Sequence, residues 1–200
     1  LSSRSLFPTT SGLHLPIIGT RETIKNMTRD TLVNHFNKHY KNPIYIEVGP
    51  EKSEKDQIVT PYKFHWEKTN SNEDFIVTRP GINQTNMVLT GTIDFEDPLQ
   101  SVFDMNFFAD VMNGFCGRLF DTIREKNHLV YSTSFNFHIF NGGTVQYWLY
   151  AALDAENIEK ARNLMLQELT RPVTDDEAEF VKNKWIGGHQ LVLDGKSSLA

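Results

Sequence analysis

Two hundred residues, 39% hydrophobic and 22% charged, make an ordinary chain of one or two domains, with fourteen Phe and six Tyr to fill a sizeable core. The net charge of −5 (pI near 5.8) lacks the basic face that nucleic-acid binding needs. No apolar run approaches the roughly 20 residues of a membrane helix, and the single Cys116 excludes an internal disulfide. Neither nucleic acid nor membrane is therefore an expected partner. The chain opens on Leu1 without a visible leader and closes on Lys196-Ser197-Ser198-Leu199-Ala200, so the expectation is a piece of a longer protein, with a cytoplasmic location favoured.

Residues 1–19, rich in Ser, Pro, Gly and Thr, read as a loop or extended arm. Thr28 is the N-cap of a helix reaching about Tyr40, with Leu32, Val33 and Phe36 on its apolar side and Asn42-Pro43 ending it. Ile44–Val48 reads as a short buried strand, and the charged stretch Glu51 to Gln57 as a linker. Tyr62–Trp66 and Asp74–Thr78 look like short strands, Pro80-Gly81 a turn, and Asn86–Phe95 a stronger strand. Asp97-Pro98 opens a helix carrying Val102, Met105, Phe107 or Phe108, and Val111 or Met112. Gly114-Phe115-Cys116-Gly117 breaks it.

Arg118 to Ser134 follows as helix, corner and strand. Leu119, Phe120 and Ile123 share a helical face, Lys126-Asn127-His128 is a polar corner, and Val130, Tyr131, Thr133 and Phe135 are strand formers. The strand 130–139 meets 144–153 through Asn141-Gly142-Gly143, a hairpin signal because those residues tolerate positive φ. Glu156 to about Leu169 is helical, with Ile158, Ala161, Leu164, Met165 and Leu169 on one face. Thr174-Asp175-Asp176-Glu177 is a capping box opening a last helix through Phe180, Val181 and Trp185. The order β-α-α-β-β-α-α after residue 83 implies an α+β fold: a mostly antiparallel sheet with helices packed on one face.

Few residues invite chemistry. His35 and His39 have metal-ligand spacing on a helix, but Phe36 and Lys38 leave no carboxylate base and add a repelling charge, so the pair reads as solvent-facing. Cys116 precedes a helix, where a thiolate gains from the dipole, yet a lone Cys among apolar neighbours reads as a small buried hydrophobe. No Ser sits in a nucleophile elbow, and the glycines match no phosphate loop. Arg124 and Tyr131 stand seven residues apart across the corner, where the reversal could aim both at one point. A guanidinium and a phenol so placed can donate to a developing oxyanion, a contribution of about 2.7–4 kcal/mol per donor. Ordinary roles compete: Arg124 pairing with Asp121 or complementing the helix C-terminus, and Tyr131 as a core aromatic with a wet hydroxyl.

Arg118-Leu119-Phe120-Asp121-Thr122-Ile123-Arg124-Glu125-Lys126 with Leu129-Val130-Tyr131-Ser132 resembles the signature of the pitrilysin/insulinase family of inverted zinc peptidases. The resemblance is to the C-terminal, non-metal half-domain, in the branch that includes mitochondrial processing peptidase. Leu15–Thr20 with Glu22-Thr23-Ile24, then Thr28–Tyr40, Ile44–Gly49, Gln84–Gly91 and Thr174–Lys182, resemble family segments in the same order, so it extends over most of the chain. It implies that zinc is held elsewhere in the complete enzyme, by a His-x-x-Glu-His motif and a distal Glu. It also implies that Arg124 and Tyr131 are the Arg and Tyr that contact the substrate carbonyl and stabilise the tetrahedral intermediate. Val130 stands where many members have Gly, His128 where Gly or Gln is common, and the zinc motif is missing.

On that resemblance residues 1–50 are the closing helix and strand of a preceding domain, 51–56 a linker, and 57–200 the C-terminal peptidase-family domain. The implied partners are a peptide substrate and an N-terminal zinc-bearing domain or partner subunit, in a homo- or heterodimer. The fragment alone is expected to hold no zinc and to be inactive. The alternative is a non-catalytic structural or peptide-binding paralogue whose sheet edge accepts an extended peptide.

Overall fold

The structure is a computed structural model, and it describes residues 6–40, 67–68, 81, 84–140 and 142–192. The predicted strands Ile44–Val48, Tyr62–Trp66 and Asp74–Thr78 and the linker Glu51–Gln57 lie outside the described residues. Strands β1 (Thr85–Asp94), β2 (Val130–Ile139) and β3 (Thr144–Leu153) form an antiparallel sheet in the order β1-β3-β2. The β2–β3 hairpin closes as its glycines predict, with Gly142 at φ 98° and Gly143 at φ 85°, a region that L side chains enter only at a cost. The central strand carries the core: Val145, Leu149, Ala151 and Leu153 are fully buried.

Five α-helices accompany the sheet among the described residues: α1 (Arg21–Lys25), α2 (Arg29–His39), α3 (Pro98–Met112), α4 (Ile158–Thr170) and α5 (Asp175–Val192). Helix α3 starts where Asp97 accepts from the Leu99 N–H, with Pro98 in the first turn. Its buried residues are Ser101, Met105, Val111 and Met112, so the expected core position Val102 is exposed instead. Met105 and Met112 pack with Phe135, Leu149, and Ala161 and Met165 of α4, closing one face of the sheet. Phe108 meets Phe135 edge-on at 5.3 Å. The capping box of α5 forms: Glu177 accepts from the Thr174 N–H (2.9 Å) and Thr174 from the Glu177 N–H (3.3 Å). Phe180, an expected core residue of that helix, is exposed, while Val181 is buried.

The N-terminal region departs from expectation. Residues 6–19 are more than a loop: Phe7 is fully buried, edge-on to Phe140 at 5.5 Å, and Gly12–His14 makes a 3₁₀ turn capped by Ser11. Helix α2 starts at Thr28 as predicted, yet its apolar side is uncovered, with Leu32, Val33 and Phe36 exposed.

Asn113 links α3 to the sheet. Its Nδ2 donates to the Phe135 carbonyl and its Oδ1 accepts from the Phe135 N–H, both at 2.8 Å. The side-chain amide thus occupies both outward groups of Phe135, as a neighbouring strand would. Gly117 is required by the tight return of the chain past the end of α3, where a Cβ would lie 2.2 Å from the Asn113 carbonyl oxygen. Asn113→Ala is expected to lower stability by about 1–3 kcal/mol, since two backbone groups lose their partner. Urea unfolding measures it, and a loss below about 0.5 kcal/mol would show that water replaces the amide without cost.

Candidate functional site

The segment from Arg118 is wound wider than its sequence pattern predicts. Leu119–Lys126 is a π-helix, with Leu119 and Ile123 buried in the core cluster. Such turns close through five residues and recur at functional sites. The wider turn brings i and i+5 together, so Asp121 pairs with Lys126 (2.6 Å) rather than with Arg124 at i+3. Arg124 is left against Phe120, its guanidinium carbon 5.1 Å from the ring centroid, with Glu125 at 4.0 Å.

Arg118 anchors the front of this helix and was missed by sequence reasoning. Its side chain is buried and all five of its N–H donors are used. Nε and Nη2 grip the Glu177 carboxylate at 2.8 and 2.7 Å. Nη1 donates to the carbonyls of Glu168 and Arg171, and Nη2 also to that of Pro172. The partners lie 50 to 59 residues on in the chain, where no local pattern points to them.

At the corner, Asn127 donates to the Thr122 carbonyl and the His128 N–H to that of Arg124. His128 has φ 53°, the left-handed region that glycine enters freely. The strand then carries one surplus residue. Val130 pairs with Leu153 and Ser132 with Ala152, leaving Tyr131 as a β-bulge. Continuing the register of Phe135 with Leu149 and Thr133 with Ala151 would place Tyr131 opposite Leu153 on the core face. The bulge gives that place to Val130, which is buried, and Tyr131 is 57% exposed. Tyr131 is therefore not a core aromatic.

The Tyr131 hydroxyl donates to Asp154 Oδ2 at 2.7 Å. That hydrogen bond raises the phenol above its ordinary pKa, with some desolvation and the charges of Asp154 and Glu156 adding to it. Arg124, Glu125, His128, Tyr131, Asp154 and Asn157 line one open cleft of about 220 Å³, with Leu129 and Val130 completing it. Arg124 also borders a second, more apolar cleft with Phe115, Leu119, Phe120 and Thr133. The corner thus brings the two expected residues to one wall, and adds Asp154, which no sequence signal marked.

The other candidates are not brought there. Cys116 is exposed, contrary to the expectation of a buried hydrophobe, because Gly117 takes the inward position of that link. His35 and His39 are exposed with ring centroids 4.5 Å apart. Among the described residues no group of three or more His, Cys, Asp and Glu could hold a metal ion, so the described residues do not make a zinc site. No helix among the described residues is long and apolar enough to cross a membrane.

A family model for the peptidase M16 inactive domain matches residues 50–186, more than half of the chain. The chain belongs to the peptidase M16 family. Its fold is similar to that of a protease from Helicobacter pylori, at 18% identity and TM-score 0.73 over 94% of this chain and 50% of that one. Looser likenesses are a conserved protein from Enterococcus faecalis (23% identity, TM-score 0.49, 59% and 28% covered) and a peptidase M16 inactive domain from Pseudomonas fluorescens (20%, 0.42, 53% and 27%). The M16 chain spans half or less of each of these structures. No curated protein matches it. The expected α+β architecture of the M16 C-terminal domain is present in the three antiparallel strands with their helices.

Proposed function

We propose that this M16 domain completes the active site of a zinc-dependent peptidase by presenting Arg124 and Tyr131 to the substrate carbonyl. The observation that supports it is that both side chains line one cleft, Arg124 from a π-helix and Tyr131 from a β-bulge. Wide helical turns recur at functional sites, and β-bulges next to active sites re-aim side chains. An extended peptide laid along the cleft would meet a planar cation and a neutral donor, which take up negative charge as its carbonyl becomes tetrahedral. The zinc ligands belong, on this reading, to an N-terminal domain or a partner subunit. Residues 1–50 then close a preceding domain; the family match starting at residue 50 and the uncovered apolar side of α2 support that boundary.

The reading is tested by kinetics of Arg124 and Tyr131 variants in the complete protein, where unchanged turnover would remove it. A second test needs only this chain: metal analysis is expected to find no stoichiometric zinc. One tightly held zinc per chain would overturn the assignment of the ligands to another domain.

The second reading, a non-catalytic or peptide-binding paralogue, draws on the family's description as an inactive domain. Strand addition along β2 is opposed at Phe135, whose outward groups Asn113 already holds. A His-x-x-Glu-His upstream of Leu1 or on a partner chain decides for the enzyme.

A further inference from the structure

The phenol of Tyr131 carries a single hydrogen, and in this structure Asp154 takes it. A hydroxyl engaged in that way cannot donate to a second acceptor until the first is released. Asp154 lies at the end of β3, just before the 3₁₀ turn Ala155–Asn157, and its carboxylate makes no capping bond to that turn. The carboxylate is itself part of the cleft wall, with Arg124, Glu125 and His128 as the other charged or titratable groups there. Glu156 adds its charge from the same turn.

We propose that Asp154 is a latch on Tyr131: it holds the phenol against the cleft wall between turnovers and yields the hydroxyl hydrogen when a substrate carbonyl enters. The inference rests on the reading of Tyr131 as a transition-state donor. The exchange is a swap of hydrogen-bond acceptors, with no bond made or broken covalently. A full negative charge beside the phenol disfavours a second one developing on the substrate at the same hydroxyl, so the latch restrains turnover as well as posture. The geometry also explains the exposure of Tyr131, since a ring turned out of the sheet by the bulge has little apolar packing to hold it.

The test is a double-mutant cycle in the complete protein with Asp154→Asn and Tyr131→Phe. Asn keeps the size and an acceptor oxygen while removing the charge. Asp154→Asn alone is expected to raise kcat roughly two- to fivefold with little change in KM, a size set by a partly screened charge. In the Tyr131→Phe background the same substitution is expected to give a clearly smaller rise, because the charge still acts through space and only the release of the hydroxyl is lost. An unchanged or lowered kcat for the single variant, or an equal rise in both backgrounds, overturns the latch. Ultraviolet titration supplies an arm independent of activity. The ionisation absent from Tyr131→Phe is assigned to Tyr131, and it is expected to move down towards the ordinary phenol range in Asp154→Asn. A Tyr131 ionisation that Asp154→Asn does not move also overturns the proposal. If that ionisation moves while Tyr131→Phe turns over at the wild-type rate, the contact stands and the donor reading fails, and with it the latch as a brake on turnover.

Discussion

Arg118→Ala is expected to lower the stability of the fold by about 3–5 kcal/mol, a large part of what a domain this size possesses. The substitution removes a guanidinium with no exposed donors and leaves the Glu177 carboxylate and the carbonyls of Glu168, Arg171 and Pro172 short of partners. Arg118→Lys fares little better, because an ammonium has three donors and cannot grip a carboxylate with a planar fork. Urea unfolding measures the loss, and a change below about 1 kcal/mol would show that the network adds little. The same network has an acid signature. Hydrogen bonds from Arg118 lower Glu177 to about 2, with the Thr174 N–H and the charges of Arg118 and Arg171 assisting and desolvation opposing. In the unfolded chain a Glu titrates near 4.3 or so. The contribution is therefore complete above about pH 5 and is lost as pH falls towards 2. Arg118→Ala is expected to flatten that part of the stability profile.

On the proposed function, Arg124→Ala and Tyr131→Phe are each expected to lower kcat of the complete protein by about 10²-fold or more, the scale for losing one oxyanion donor. KM should move little, because the carbonyl gains most of its negative charge only in the transition state. The double variant should lose less than the product of the single losses, since two donors to one oxygen act as a unit. Steady-state kinetics on a peptide substrate decides it. A tenfold or smaller loss in both single variants, read against a folded control, would place the pair in binding rather than in stabilisation of charge. Phe120 is part of the arrangement, since its ring carries the Arg124 guanidinium.

Much of the domain could be read from residue types because the signals are local. Asp97-Pro98, the Thr174–Glu177 capping box and Gly142-Gly143 each set backbone geometry within a few residues, and all three form as read. The π-helix could not be read, because Leu119 and Ile123 at i and i+4 suit either winding. Nor could the bulge, since Val130 and Tyr131 are equally good strand residues and only the pairing with β3 shows which is surplus. Arg118 sits beside apolar residues that give no hint of its distant acceptors. Asp154 was invisible for the same reason: its role is defined by Tyr131, twenty-three residues earlier. Helix α2 shows the reverse case: its apolar stripe reads correctly, yet Leu32, Val33 and Phe36 are exposed.

The wide turn and the bulge share a property that composition does not reveal. Each holds one residue more than the regular element would. Deleting a residue within 119–126 would tighten the winding towards α and change which side chains face the cleft, Arg124 among them. Deleting Val130 would draw Tyr131 into the sheet opposite Leu153. Along this stretch the number of residues, as much as their identity, sets where Arg124 and Tyr131 stand. Between Leu119 and Tyr131, chain length itself sets the shape of the cleft wall.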